Sequence, residues 1–376
     1  MSATISLSYY PYIVLHNMGL IRILLAIAVL IGHIGAHTKI VGGDIAVEAF
    51  YIISGFYMSL ILNEKYVGAN NSYKLFITNR FLRIFPVYWI VLIMVVGYSL
   101  VSFLLQQPET PLHFYQQYAG QLGFVNTAFL LVTNLGIFFQ DWLLFLGFNK
   151  TTGLLYFTTN FQAGNPQLYH FLFIPQAWTI SLELMFYLLA PFILRRGIKV
   201  IAAILLISIT IKVLLFNSGL NFDPWTYRFF PAELHLFLLG YISYWIYNNI
   251  RDKKINTIYL NGIFIMLCLF TLMYWVFPGE LRQYVYITLV FTALPFVFLY
   301  TKRWNFDKYV GELSYPIYIA HNFIIAITKS LFPGSTYIIP IALISTIVFS
   351  ILLNELVAKP IEKIRQKRLS KITAKA

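Results

Sequence analysis

The sequence predicts an all-α, polytopic membrane protein, and three observations carry that prediction. Hydrophobic residues make up 59% of the 376 and charged residues only 11%, the mean hydropathy is +0.72, and apolar runs recur along the whole chain. Soluble domains carry roughly 25% charged residues, so an ordinary soluble enzyme is excluded. A run of about 20 apolar residues spans a bilayer as a helix, which satisfies its backbone polar groups internally where no water can. Ten runs qualify: 15–36, 45–63, 84–105, 177–194, 198–216, 230–249, 257–277, 283–300, 313–332 and 337–357. Aromatic residues, at 18%, suit helices whose ends meet lipid headgroups.

Loop charge orders these runs. Lys65, Lys74, Arg80 and Arg83 lie between the second and third, Arg195, Arg196 and Lys199 between the fourth and fifth, and Arg251, Lys253 and Lys254 between the sixth and seventh. Lys302, Arg303 and Lys308 precede the ninth, and residues 359–376 form a basic tail. Basic loops stay in the cytoplasm. Residues 106–149 contain no Lys or Arg and are expected outside. An odd number of crossings must connect them to the Arg195 loop, so 125–147, interrupted by Asn134, Gly136, Gln140 and Asp141, reads as a re-entrant or interfacial segment. About ten transmembrane helices with both termini cytoplasmic follow, in one membrane domain covering 1–376. The first run, containing Arg22 with no basic stretch ahead of it, is expected to stay in the membrane rather than act as a cleaved leader.

The net charge of +13 matches cytoplasmic loops beside anionic lipid; a nucleic-acid partner is not expected. One cysteine, Cys268, allows no internal disulfide and no multi-cysteine metal site, and it has no basic neighbour that would mark a catalytic thiol. No HExxH, G-x-S-x-G or Walker A pattern is present, and no metal is expected.

Charged and polar residues inside apolar runs are costly and mark function or a buried partner. Arg22 and His33, eleven positions apart in IRILLAIAVLIGH, return to nearly the same helix face roughly 16 Å apart along the axis. Arg22 could equally snorkel to headgroups while His33 sits satisfied in a core. Glu48 opens the second run ahead of Ser54, Gly55 and Phe56; a carboxylate there needs a partner, His33 being one candidate, and Gly55 suits close helix packing. Arg80 and Arg83, one turn apart, form a cationic patch suited to phosphate oxygens or to plain positive-inside anchoring. In AWTISLELMFY, Glu183 and Tyr187 share a face after Trp178. Glu233 and His235 fall on different faces, which argues against joint metal ligation. His321 lies mid-run in GELSYPIYIAHN, while His16, His37, His113 and His170 read as surface residues.

Taken together, these residues resemble the acyltransferase 3 family of integral-membrane acyltransferases. The resemblance rests on the Arg22-to-His33 spacing, the Glu48-to-Phe56 stretch ending in SGF, R-x-x-R ahead of Pro86, the Trp178-to-Tyr187 stretch and the Ser314-to-His321 stretch, in that order across nearly the whole chain. One departure stands out: the family closes with an acidic residue two positions before a proline, where this chain has Ala358 before Pro360, with Glu355 and Glu362 nearby. No SGNH-type hydrolase domain is expected after the membrane part.

The resemblance implies transfer of an acyl group, most often acetyl from acetyl-CoA, to a hydroxyl of a surface polysaccharide or its lipid-linked precursor in a bacterial cytoplasmic membrane. It implies acyl-CoA, a carbohydrate acceptor and membrane lipids as partners. Arg22, Arg80 and Arg83 would bind the carrier, and His33 would be the general base, oriented by Glu48 or Glu183. Ser54, Trp178, Tyr187 and His321 would position substrate. A transporter with Arg22, His33 and Glu183 as a proton relay is the rival reading; it would favour internal repeats, and none is evident.

Overall fold

The computed structural model describes residues 17–35, 39–106, 110–279 and 281–373. In chain order its α-helices are α1 (Gly19–Ile34), α2 (Gly43–Glu64), α3 (Tyr73–Leu104), α4 (Pro111–Gln117), α5 (Ala119–Gly136), α6 (Trp178–Ile193), α7 (Ile198–Asn217), α8 (Phe230–Ile250), α9 (Thr257–Leu272), α10 (Arg282–Thr301), α11 (Asn305–Leu331), α12 (Ile338–Leu353) and α13 (Lys359–Thr373). Each of the ten apolar runs overlaps one of these helices. Among the described residues, six helical segments are long and apolar enough to cross a membrane: α2, α3, Pro175–Ile193, α7, α10 and Ile338–Ser370. Helices α1 and α9 are apolar but shorter. Helices α8 and α11 are long but more polar, carrying Glu233 and Asp307 in their first turns.

Glycine sets two of the closest helix crossings. A Cβ on Gly55 would fall 1.9 Å from the Phe237 carbonyl oxygen, and one on Gly240 would fall 2.1 Å from that of Ile52, so α2 and α8 touch backbone to backbone. Close approach of this kind lets helices associate in lipid, where apolar burial alone gives no preference for helix over lipid. Gly19 and Gly311 do the same for α1 and α11: a Cβ on Gly311 would sit 2.7 Å from the Gly19 Cα. Asp307 locks that pair further, since its carboxylate accepts from the first N–H groups of α1, Gly19 at 2.8 Å and Leu20 at 2.9 Å. These are donors that a helix start otherwise leaves unsatisfied.

The basic segments meet at one end of the bundle. Arg195 donates to the Tyr66 carbonyl at 2.8 Å, Arg251 pairs with Glu64 at 3.1 Å, and the Lys302 ammonium lies 5.6 Å from the centre of the Tyr247 ring. The basic tail folds as α13, which a π-helical turn at Asn354–Ala358 joins to α12. Arg368 of α13 donates to Thr78 Oγ1 on α3 at 2.8 Å.

At the opposite end, residues between α3 and α6 form a lobe with its own apolar centre around Tyr118, Leu130, Phe148 and Phe171. The lobe adds a small antiparallel hairpin, Leu146–Phe148 with Leu155–Phe157, to an otherwise helical fold. Helix α5 breaks at Gly123 (φ 64°) and exposes Phe124, Val125, Leu131, Val132 and Leu135. Like α1, α8, α9 and α11, it is not among the segments long and apolar enough to cross.

Candidate active site

A cavity of about 120 Å³ lies where α1, α2, α3, α6 and α11 meet. Arg22 enters from α1, 6% exposed. The Gly19–Gly311 crossing brings α11 close enough for its Nη2 to donate to Ser314 Oγ at 2.8 Å. Its guanidinium lies 5.7 Å from the centre of the Tyr57 ring, and its Nη1 has no partner among the described residues. Arg80 and Arg83 reach the same cavity from α3; Arg80 is 5% exposed and its Nε lacks a partner among the described residues.

Glu183 lines the same cavity as these three guanidiniums. Its Oε1 accepts from Ser54 Oγ at 2.6 Å and from Tyr187 OH at 2.5 Å. The i,i+4 spacing of Glu183 and Tyr187 and the facing placement of α2 make the arrangement possible. Tyr318 and Thr179, hydrogen-bonded through their hydroxyls at 2.6 Å, line the cavity as well.

His33 does not line the cavity. It is exposed, its Nδ1 donates to the Val29 carbonyl at 2.9 Å, and its ring centre lies 4.8 Å from that of His321. His321 is fully buried, donates from Nδ1 to the Tyr318 carbonyl at 2.6 Å, and has no partner at Nε2 among the described residues. A carbonyl can only accept, so both imidazoles carry their N–H at Nδ1, and in the neutral form both Nε2 atoms keep a lone pair. The cavity wall therefore continues through Tyr318 to His321 and His33.

The carboxylates differ from the sequence expectation. Neither Glu48 nor Glu183 orients His33; a backbone carbonyl does. Glu48 accepts from Gln283 at 3.0 Å and lies 3.8 Å from Lys212, which itself pairs with Glu233 at 2.9 Å. The reason is one of facing: Glu48 meets α7 and α10, while His33 meets α11. Trp178 also stands off the cavity, with the Arg228 guanidinium 4.1 Å from its ring centre. His113 and His170 are half-buried rather than surface residues; His16 and His37 lie outside the described residues. Among the described residues no three His, Cys, Asp or Glu side chains are grouped as metal ligands would be.

At the basic end a wider cavity of about 440 Å³ opens between α3, α11 and the α12–α13 segment, sharing Arg83 and Tyr315 with the first. Ala358, at the position where the resemblance calls for an acid, lines it. Lys65 lies nearby, outside the helices, and burial pulls its ammonium down to about 8.

Five motifs scattered along the sequence thus supply one cavity and its continuation. A family model described as an acyltransferase domain matches residues 15–355. The chain belongs to the acyltransferase 3 family. A protein of Aquifex aeolicus (strain VF5) described as uncharacterized is 26% identical over 199 residues, covering 51% of this chain and 89% of that protein. No solved structure matches the chain. Family membership makes it an integral membrane acyltransferase, and the cavity collects residues from every motif of the resemblance. Sequence reasoning missed Tyr57, Thr179 and Lys212 altogether and gave Ser314 and Tyr318 no role. The spacing of Ser314, Tyr318 and His321, i, i+4 and i+7, was the available signal, since it places all three on one helix face.

Proposed function

We propose that this protein transfers an acyl group, acetyl in the first instance, from an acyl-CoA to a hydroxyl of a surface carbohydrate or its lipid-linked precursor, in a bacterial cytoplasmic membrane. One observation carries the reading: three guanidiniums and a hydroxyl-bound carboxylate line one small cavity inside a membrane helix bundle, with a pair of imidazoles beyond it. Size assigns the parts. Ligand pockets for whole small molecules run to about 300–1,000 Å³, so the inner cavity of about 120 Å³ suits an acyl thioester arm. The wider cavity at the basic end suits the bulk of the carrier.

The basic end faces the cytoplasm, where acyl-CoA is made, and His33 faces the side where an exported glycan presents its hydroxyls. The acceptor oxygen attacks the thioester carbonyl, His33 Nε2 takes its proton, and the carrier thiolate leaves. A guanidinium such as Arg22 is suited to hold negative charge as it develops on the carbonyl oxygen. Ten crossings and cytoplasmic termini belong to this proposal.

The test is mass spectrometry of cell-surface glycan with and without the protein, reading an acetyl-sized increment. The increment is expected to vanish on deletion and to stay absent with His33→Ala or Arg22→Ala variants shown to be inserted. An increment that persists in those variants overturns the assignment.

A further inference from the structure

The tail helix α13 holds a charge problem that the reaction scheme leaves unused. Arg365 is 6% exposed; its Nη1 pairs with Glu362 one turn back, and its Nε has no partner among the described residues. Arg80, on α3, likewise buries an Nε with no partner among them. Arg365 feels both Arg80 and Arg83 as like charges, and Lys65 adds a fourth cation to the group. Glu362 faces all four, and Glu312 faces Arg83. Buried guanidiniums crowded together are costly unless an anion completes their hydrogen bonding, and two orphaned N–H donors within one such group show where it is incomplete. Planar guanidinium forks match phosphate oxygens in particular. Arg83, Glu362 and Arg365 also line the wider cavity, so the group opens onto space.

We propose that α13 forms one wall of the donor site, where Arg365 joins Arg80 and Arg83 in binding a ligand with two or more phosphate groups. Glu362 is the internal anion that those phosphates displace. Resting on the function proposed above, the ligand is the nucleotide end of the acyl carrier; a lipid headgroup with two phosphate groups offers the same chemistry.

The experiment titrates the purified full chain in detergent with CoA, with pantetheine, which lacks the phosphates, and with short-chain cardiolipin. Arg365→Gln is expected to weaken CoA tenfold or more and to leave pantetheine unchanged. Glu362→Gln is expected to tighten CoA severalfold. Both variants break the same ion pair, so a role confined to docking the tail predicts weakening in both, and a weaker Glu362→Gln overturns the proposal. Arg365→Gln with native affinity for both CoA and cardiolipin overturns it too, leaving the acyl-CoA reading intact. A native chain that binds cardiolipin through Arg365 but not CoA upholds the phosphate site and removes CoA as its source; one that binds neither removes both.

Discussion

Ser54 Oγ donates to Glu183 Oε1 across 2.6 Å and so ties α2 to α6 in the wall of the inner cavity. A hydrogen bond to a charged group contributes about 1.5–3 kcal/mol, and Tyr187 supplies a second to the same oxygen. Glu183→Gln keeps the shape and removes the charge. It is expected to lower the rate of acyl transfer about 10- to 100-fold, and Ser54→Ala less, in assays on membranes holding equal amounts of each variant. A fully active Glu183→Gln enzyme removes the carboxylate from the mechanism.

Gly55 and Gly240 allow α2 and α8 to meet backbone to backbone, and there a methyl group has nowhere to go. Overpacking typically costs about 1–3 kcal/mol, so Gly55→Ala and Gly240→Ala are expected to lower the unfolding temperature in detergent. Gly97 is the control, because a methyl group added there would meet nothing within 4 Å, and Gly97→Ala is expected to leave the temperature unchanged or raise it.

Lys65 gives a pH dependence. The groups around it are Glu362, which favours its charge, and Arg80, Arg83 and Arg365, which oppose it. Its folded value of about 8 lies below the ordinary 10.5. The unfolded chain therefore binds more protons between those values, and this residue's contribution to stability rises with pH through that window. Anion binding moves the other way, because the site loses a positive charge above about pH 8. CoA affinity is expected to fall between about pH 7 and 9, a unit either side of that value, and Lys65→Arg, which stays charged, is expected to flatten the curve when titrated at both ends.

Topology has its own readout. Cysteines placed at Lys65 and Gln116, in a chain whose Cys268 is changed to Ser, are expected to react with a membrane-impermeant reagent from opposite sides. Labelling of both from one side of intact cells contradicts the crossing order.

Periodic and compositional features were readable in the sequence because they are local. Every apolar run became a helix, and Gly55 packs as its place in a small-residue stretch implies. The cavity arginines, Ser54, Glu183 and Tyr187 were also legible, because charged residues in lipid-length runs are rare and stand out. Pairing across helices was not legible. Hydropathy gives no information on how a helix is rotated, so the Glu48–Lys212 contact could not be told from a Glu48–His33 one. The placement of α13 was hidden for another reason: its polar composition reads as a solvated tail, whereas in the fold it follows the π-turn at Asn354–Ala358 and lies against α3.

The clamp that Asp307 places on the start of α1, together with the Gly19–Gly311 crossing, joins α1 and α11 as a jaw. Arg22, His33, Ser314, Tyr318 and His321 all ride on that jaw, so these two contacts set their mutual spacing. A substitution that removes the Asp307 carboxylate is therefore expected to blur that ruler, whereas the wall opposite, α3 with the tail helix docked on it, is held by separate contacts.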